Sequence, residues 1–85
     1  MILRVTELRV VGGHLLALAF NDGTHKTVDV YPLLDGPIFE PLKDTAYFAR
    51  VKLDSITGTP VWPNDADFAP EALRDLTAVE ESNAA

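Results

Sequence analysis

The chain has 85 residues, 47% of them hydrophobic and 24% charged, with a net charge of −6; surface scaling lets roughly 63% of the open chain's surface be buried, which suits one domain and no second. This composition excludes a disordered or low-complexity chain, and zero cysteines exclude disulfides, thiolate zinc sites, iron–sulfur clusters and cysteine nucleophiles. Charges interrupt the start at Arg4 and Glu7, and the longest apolar run is Leu15 to Phe20, too short for a signal segment or a membrane span, so a soluble, cytoplasmic protein without a membrane partner is expected.

In chain order, Thr6-Leu8-Val10 and Leu16-Leu18-Phe20 alternate with period two around Gly12-Gly13. Val28 and Val30 follow Asn21-Asp22-Gly23. The pattern predicts an antiparallel three-stranded meander. Parity chooses the register: a loop of three residues through His14 pairs Val10 with Leu16 and Leu8 with Leu18. A two-residue Gly12-Gly13 loop sets Arg9 and Glu7 there instead. With Gly23 left-handed, the second turn places Phe20 opposite Thr24 and Leu16 opposite Val28. Strand two is then central, and its other face (Leu15, Ala17, Ala19) is apolar enough to be expected under a second layer.

Pro32, Gly36, Pro37 and Pro41 confine residues 31–42 to a crossing loop with at most one helical turn, pinned on the sheet by Leu33, Leu34, Ile38, Phe39 and Leu42. Asp44 is an N-cap for a short helix reaching about Arg50. Val51 and Leu53 alternate with Lys52 and Asp54, Gly58 marks a turn and Val61-Trp62 resume extended chain, which predicts a further hairpin. A C-terminal helix from about Ala69 to Leu76 has Pro70 in its first turn, Glu71 favouring the dipole, and Phe68, Ala72, Leu73 and Leu76 as its inner face. Residues 78–85 read as a flexible acidic tail beyond a single 1–77 domain. Strands first and a helix late make the class α+β.

Catalytic and metal motifs are absent from this pattern. His14 and His25 fall near opposite ends of the second hairpin, about 20 Å apart, and His25 and Asp29 on one strand face are ~13 Å apart, too far for one ion. Asn64-Asp65-Ala66-Asp67 begins like a calcium loop, yet the fifth ligand position holds Ala69 and the glycine position Pro70. Neither Ser55 nor Ser82 sits in a nucleophile elbow, and Gly12-Gly13 opens a hairpin rather than a phosphate loop. No cofactor, metal site or enzymatic role is expected.

Charge is distributed unevenly. Residues 1–52 balance six bases with six acids; residues 53–85 set Arg74 alone against Asp54, Asp65, Asp67, Glu71, Asp75, Glu80 and Glu81. Phosphate binding needs clustered Lys and Arg, so direct nucleic-acid binding is disfavoured and a basic protein partner favoured. The competing reading is a solvated acidic surface that aids solubility. Trp62 also reads two ways: a core anchor with its indole N–H on a backbone carbonyl, or a recognition residue at the head of the acidic third.

Phe20-Asn21-Asp22-Gly23-Thr24, Gly36-Pro37-Ile38-Phe39-Glu40-Pro41-Leu42, Phe48-Ala49-Arg50-Val51 and Val61-Trp62-Pro63-Asn64 occur in one order, and with them the chain resembles the bacterial domain-of-unknown-function family 2442 (DUF2442) from about Leu3 to Leu76. The resemblance implies a small α+β domain without an assigned enzymatic activity and without established catalytic residues. Members often stand beside another small protein in pairs similar to toxin–antitoxin modules, and some are fused to a helix-turn-helix, for which this chain has no second helix after Leu76. The family usually follows Trp-Pro-Asn with Gly; Asp65 stands there here, which implies a differently built turn.

The function expected is thus a protein-interaction module, antitoxin-like, that meets a basic partner (a neighbouring small gene product) through Trp62, Pro63, Asn64, Asp65, Asp67 and Glu71. A sheet edge offers a second route and permits a homodimer. The alternative is a small-molecule binding or catalytic domain with a pocket between the Ile38-Phe39 loop and the sheet, using Asp29, Tyr31 and Glu40.

Overall fold

A computed structural model describes the backbone of residues 2–83 and the side chains as far as Val79. Strands β1 (Val5–Gly12), β2 (Leu15–Phe20) and β3 (Thr24–Asp29) form the expected antiparallel meander. Val10 pairs with Leu16, Leu8 with Leu18 and Leu16 with Val28, as parity requires. The first turn reaches that register by a different route. Gly12 pairs with Leu15, the turn is Gly13-His14, and Val11 is the extra residue of a bulge. At the second turn Gly23 takes φ +89° and its N–H bonds to the Phe20 carbonyl.

The sheet has a fourth strand. β6 (Ala78–Asn83) pairs antiparallel with β3, giving the order β1-β2-β3-β6. The stretch expected as a flexible tail from residue 78 is therefore strand as far as Asn83, because the open edge of β3 supplies a row of backbone partners that its own weak β-propensity does not announce. The second face of β2 is closed over only in part: Ala19 is buried as expected, whereas Leu15 and Ala17 remain half-buried.

The other face carries the core. Leu16, Leu18, Phe20 and Val28 pack with Val30, Leu34, Leu42, Phe48, Trp62, Phe68 and Leu73, each burial contributing about 2 kcal/mol before entropy is charged. The crossing segment makes two 3-10 turns, Tyr31–Leu33 and Glu40–Lys43. Leu34 and Leu42 do pin it, while Ile38 is 48% exposed and pins nothing. His14 fixes the segment to the first hairpin: its Nε2–H donates to the Leu42 and Lys43 carbonyls, both at 3.0 Å, and its ring packs edge-on against Tyr31 and Phe48. Since both acceptors are carbonyl oxygens, the Nε2 nitrogen must carry the proton.

Asp44 caps α1 (Thr45–Phe48) through Oδ1 on the Ala46 N–H at 2.9 Å. The expected hairpin is β4 (Lys52–Asp54) with β5 (Thr59–Val61). It is clamped to β1 by the Val5 N–H on the Gly58 carbonyl and by Arg4 Nη2 on the Ser55 and Ile56 carbonyls. Gly58 has φ +70°, and a Cβ there would lie 2.6 Å from the Arg4 Cβ, so only glycine fits this approach. Helix α2 (Pro70–Arg74) is shorter than expected, and Ala72 faces solvent while Phe68, Pro70 and Leu73 are buried. No helix among the described residues is long and apolar enough to cross a membrane.

Candidate functional site

The segment from Trp62 to Glu71 alternates like a strand laid over the core. Trp62, Ala66, Phe68 and Pro70 are buried; Pro63, Asp65, Asp67, Ala69 and Glu71 are exposed. Alternation therefore sorts the segment into an apolar underside and an acidic outer side, which α2 extends with exposed Asp75. Asp67 is held by a backbone bridge to Val61. Among the described residues no ion pair involves Asp65, Asp67, Glu71 or Asp75.

Trp62 belongs to the underside. It is 1% exposed, its Nε1–H donates to the Phe48 carbonyl at 2.8 Å, and Phe48 and Phe68 flank it at 5.3 and 5.7 Å between ring centroids. The core-anchor reading is the one its surroundings support; a fully desolvated indole that already has its partner offers nothing to a docking protein. Asn64, half-buried, is likewise engaged inside the molecule. Its Oδ1 accepts from the Ala66 N–H at 3.1 Å and its Nδ2 donates to the Ile38 carbonyl at 2.8 Å. The structure thus leaves Pro63, Asp65, Asp67 and Glu71 on the outside and withdraws Trp62 and Asn64 as direct contacts.

Asp65 has φ +68° and is the one non-glycine residue with a positive φ among those described. The turn after Trp-Pro-Asn consequently keeps the left-handed backbone that glycine adopts most easily, rather than a different construction. The Asp65 N–H bonds to the Trp62 carbonyl and the Trp62 N–H to the Ala66 carbonyl, which closes the loop tightly.

Arg74, the sole base of the last third, does not neutralise this surface, because its guanidinium pairs with Asp22 across the fold. Asp22 is held below its ordinary 3.8, chiefly by the Thr24 backbone N–H and further by Arg74. Lys26, buried on the inner side of β3, donates from Nζ to the Arg74 carbonyl at the end of α2. Neither Asp22 nor Lys26 stands out in the sequence, since each owes its partner to the packing of α2 on the sheet.

The groups of the alternative reading are each occupied locally. Asp29 Oδ1 accepts from the Tyr31 N–H, Tyr31 packs on His14, and Glu40 pairs with Lys43 at 3.2 Å, a contact that raises the Lys43 pKa. Beside Ile38, Phe39 lies flat on Phe68 with centroids 4.8 Å apart and planes 9° apart. No cluster of three metal-binding side chains occurs among the described residues.

Compared with known proteins, the chain matches a family model described as "Protein of unknown function (DUF2442)" over residues 5–77. No curated protein matches it, and neither does any solved structure.

Proposed function

The chain belongs to the DUF2442 family, which carries no assigned function, and on that footing we propose that it is a non-enzymatic protein-interaction module of the cytoplasm. It binds a basic protein partner in the manner of an antitoxin masking its toxin. One observation carries this reading: Asp65, Asp67, Glu71 and Asp75 all face solvent along one segment, without an ion pair among the described residues. Four carboxylates on a rigid support attract a complementary cationic surface, speed encounter and set orientation, while their field repels nucleic acid and anionic membranes.

The partner is sought in the product of the adjacent small gene. Its association with this chain should weaken as salt rises to about 0.5 M, where screening lengths fall below 5 Å. The triple change Asp65→Asn, Asp67→Asn and Glu71→Gln should weaken it by about tenfold or more. Association indifferent to both would refute an electrostatic interface.

Edge pairing is the second route, and the outer strand opposite β1 is now β6 rather than β3. Its sequence, Ala78-Val79-Glu80-Glu81-Ser82-Asn83, holds two acids and no base, which favours a foreign basic strand over a second copy. Edge pairing of either kind should survive about 0.5 M salt better than the acidic surface does, because main-chain hydrogen bonds are little screened.

A further inference from the structure

A cleft of about 560 Å³ opens between the end of α1 and the paired ends of β4 and β5, lined by residues 49–52 and 61–63. Its floor is apolar: half-buried Val51 and Val61 lie beside Trp62. Its rim is cationic, with Arg50 and Lys52 both exposed. The Arg50 guanidinium stands over the Tyr47 ring, 5.6 Å from its centroid, which restrains it before any ligand arrives.

The other bases are mostly committed elsewhere. Arg4 serves the Ser55 and Ile56 carbonyls, Lys26 the Arg74 carbonyl, Lys43 pairs with Glu40 and Arg74 with Asp22. Arg50 and Lys52 have no carboxylate within 4.0 Å among the described residues. In a chain of net charge −6, two uncompensated cations thus flank one apolar cleft. A purely apolar guest leaves both charges idle, and an inorganic anion leaves the floor wet; the complementary guest carries carboxylates and apolar surface together.

We propose that this cleft docks an extended segment of a protein partner in which large apolar side chains are flanked by Asp or Glu. The apolar side chains cover Val51, Val61 and exposed Pro63, beneath which Trp62 stays buried, and the carboxylates meet Arg50 and Lys52. A peptide is the fitting occupant because the cleft is open-sided and its two cations are set at the rim, where a chain can run past them. This site goes beyond the acidic surface of the preceding section and has the opposite charge preference, so each can fail alone.

Trp62 is the single tryptophan, and from beneath the cleft its emission senses changes in the packing and charge of the residues above it. The 85-residue protein would be titrated with the peptide acetyl-Asp-Glu-Leu-Phe-Asp-Glu-amide, following Trp62 fluorescence and the amide resonances of Arg50, Val51 and Lys52. Saturable change at these groups is expected. Two exposed ion pairs account for about a tenfold loss of affinity in the Arg50→Gln, Lys52→Gln variant. The triple change at Asp65, Asp67 and Glu71 should leave the affinity as it is or improve it by relieving repulsion. No saturable response, equal binding of a peptide with Lys in place of Asp and Glu, equal binding with Ala in place of Leu-Phe, or binding of phenylacetate as tight as the peptide would overturn the proposal. So would an undiminished affinity in the Arg50→Gln, Lys52→Gln variant whose circular dichroism matches the parent chain.

Discussion

Asp65 stands where backbone geometry and side-chain chemistry pull apart. Its φ of +68° suits glycine, and Asp is among the few other residues that tolerate it, since a short polar side chain can bond locally. Asp65→Gly should therefore match or exceed the parent stability by up to about 0.5 kcal/mol, while Asp65→Val should lose about 1–2 kcal/mol. Urea denaturation gives the order, and Val equal to Gly would contradict the strained turn. Asp22 supplies the pH dependence at this scale. Its carboxyl titrates below 3.8 in the folded chain, so its contribution is complete above that value and is lost as pH falls through the lowered one. Asp22→Asn should flatten the decline of stability below pH 3.8, and an acid limb of unchanged steepness would show that the Thr24 and Arg74 contacts contribute nothing.

At the scale of elements, the hairpin registers were legible and the last strand was not. Val10 against Leu16 and Leu16 against Val28 follow from period two and turn chemistry, because a slip by one residue would turn every apolar side chain outward. β6 offers no such signal: Val79 is 62% exposed and two of its six residues are Glu. It forms because β3 presents unpaired N–H and C=O groups that ordering a short tail can satisfy. Ending the chain after Thr77 should then lower the melting temperature, each 1 kcal/mol lost showing as about 4–8 °C in a domain of this size. The bared β3 edge should also promote self-association in sedimentation experiments. A truncated chain that stays monomeric with its melting point intact would mean that β6 adds nothing to the sheet.

Across the molecule, one aromatic group joins its parts. Phe48 from α1, Trp62 after β5 and Phe68 before α2 meet within 6 Å of one another's centroids through Trp62, and Phe39 stacks on Phe68 from the crossing segment. Trp62→Phe would leave a void and an unpartnered Phe48 carbonyl, at a cost of about 2–4 kcal/mol. Calorimetry reads this as a large fall in melting temperature, and a fall of under about 3 °C would show that the indole is replaceable. The candidate surface was legible only in part. Asp65, Asp67 and Glu71 lie outside as their charge suggests, whereas Trp62 and Asn64 face inward because the loop closes on Ala66 and Ile38.

By itself the sequence determined the α+β class, the pairing of the first three strands, the Asp44 cap and the gathering of negative charge in the last third, since all of these depend on periodicity, turn chemistry or composition within a short window. Only the tertiary structure decided that residues 78–83 complete the sheet, that Trp62 is anchor rather than contact, and that Arg50 and Lys52 share a cleft with apolar residues ten positions further along. Those outcomes depend on which backbone groups and charges remain unsatisfied once distant segments have packed, and no local pattern carries that information.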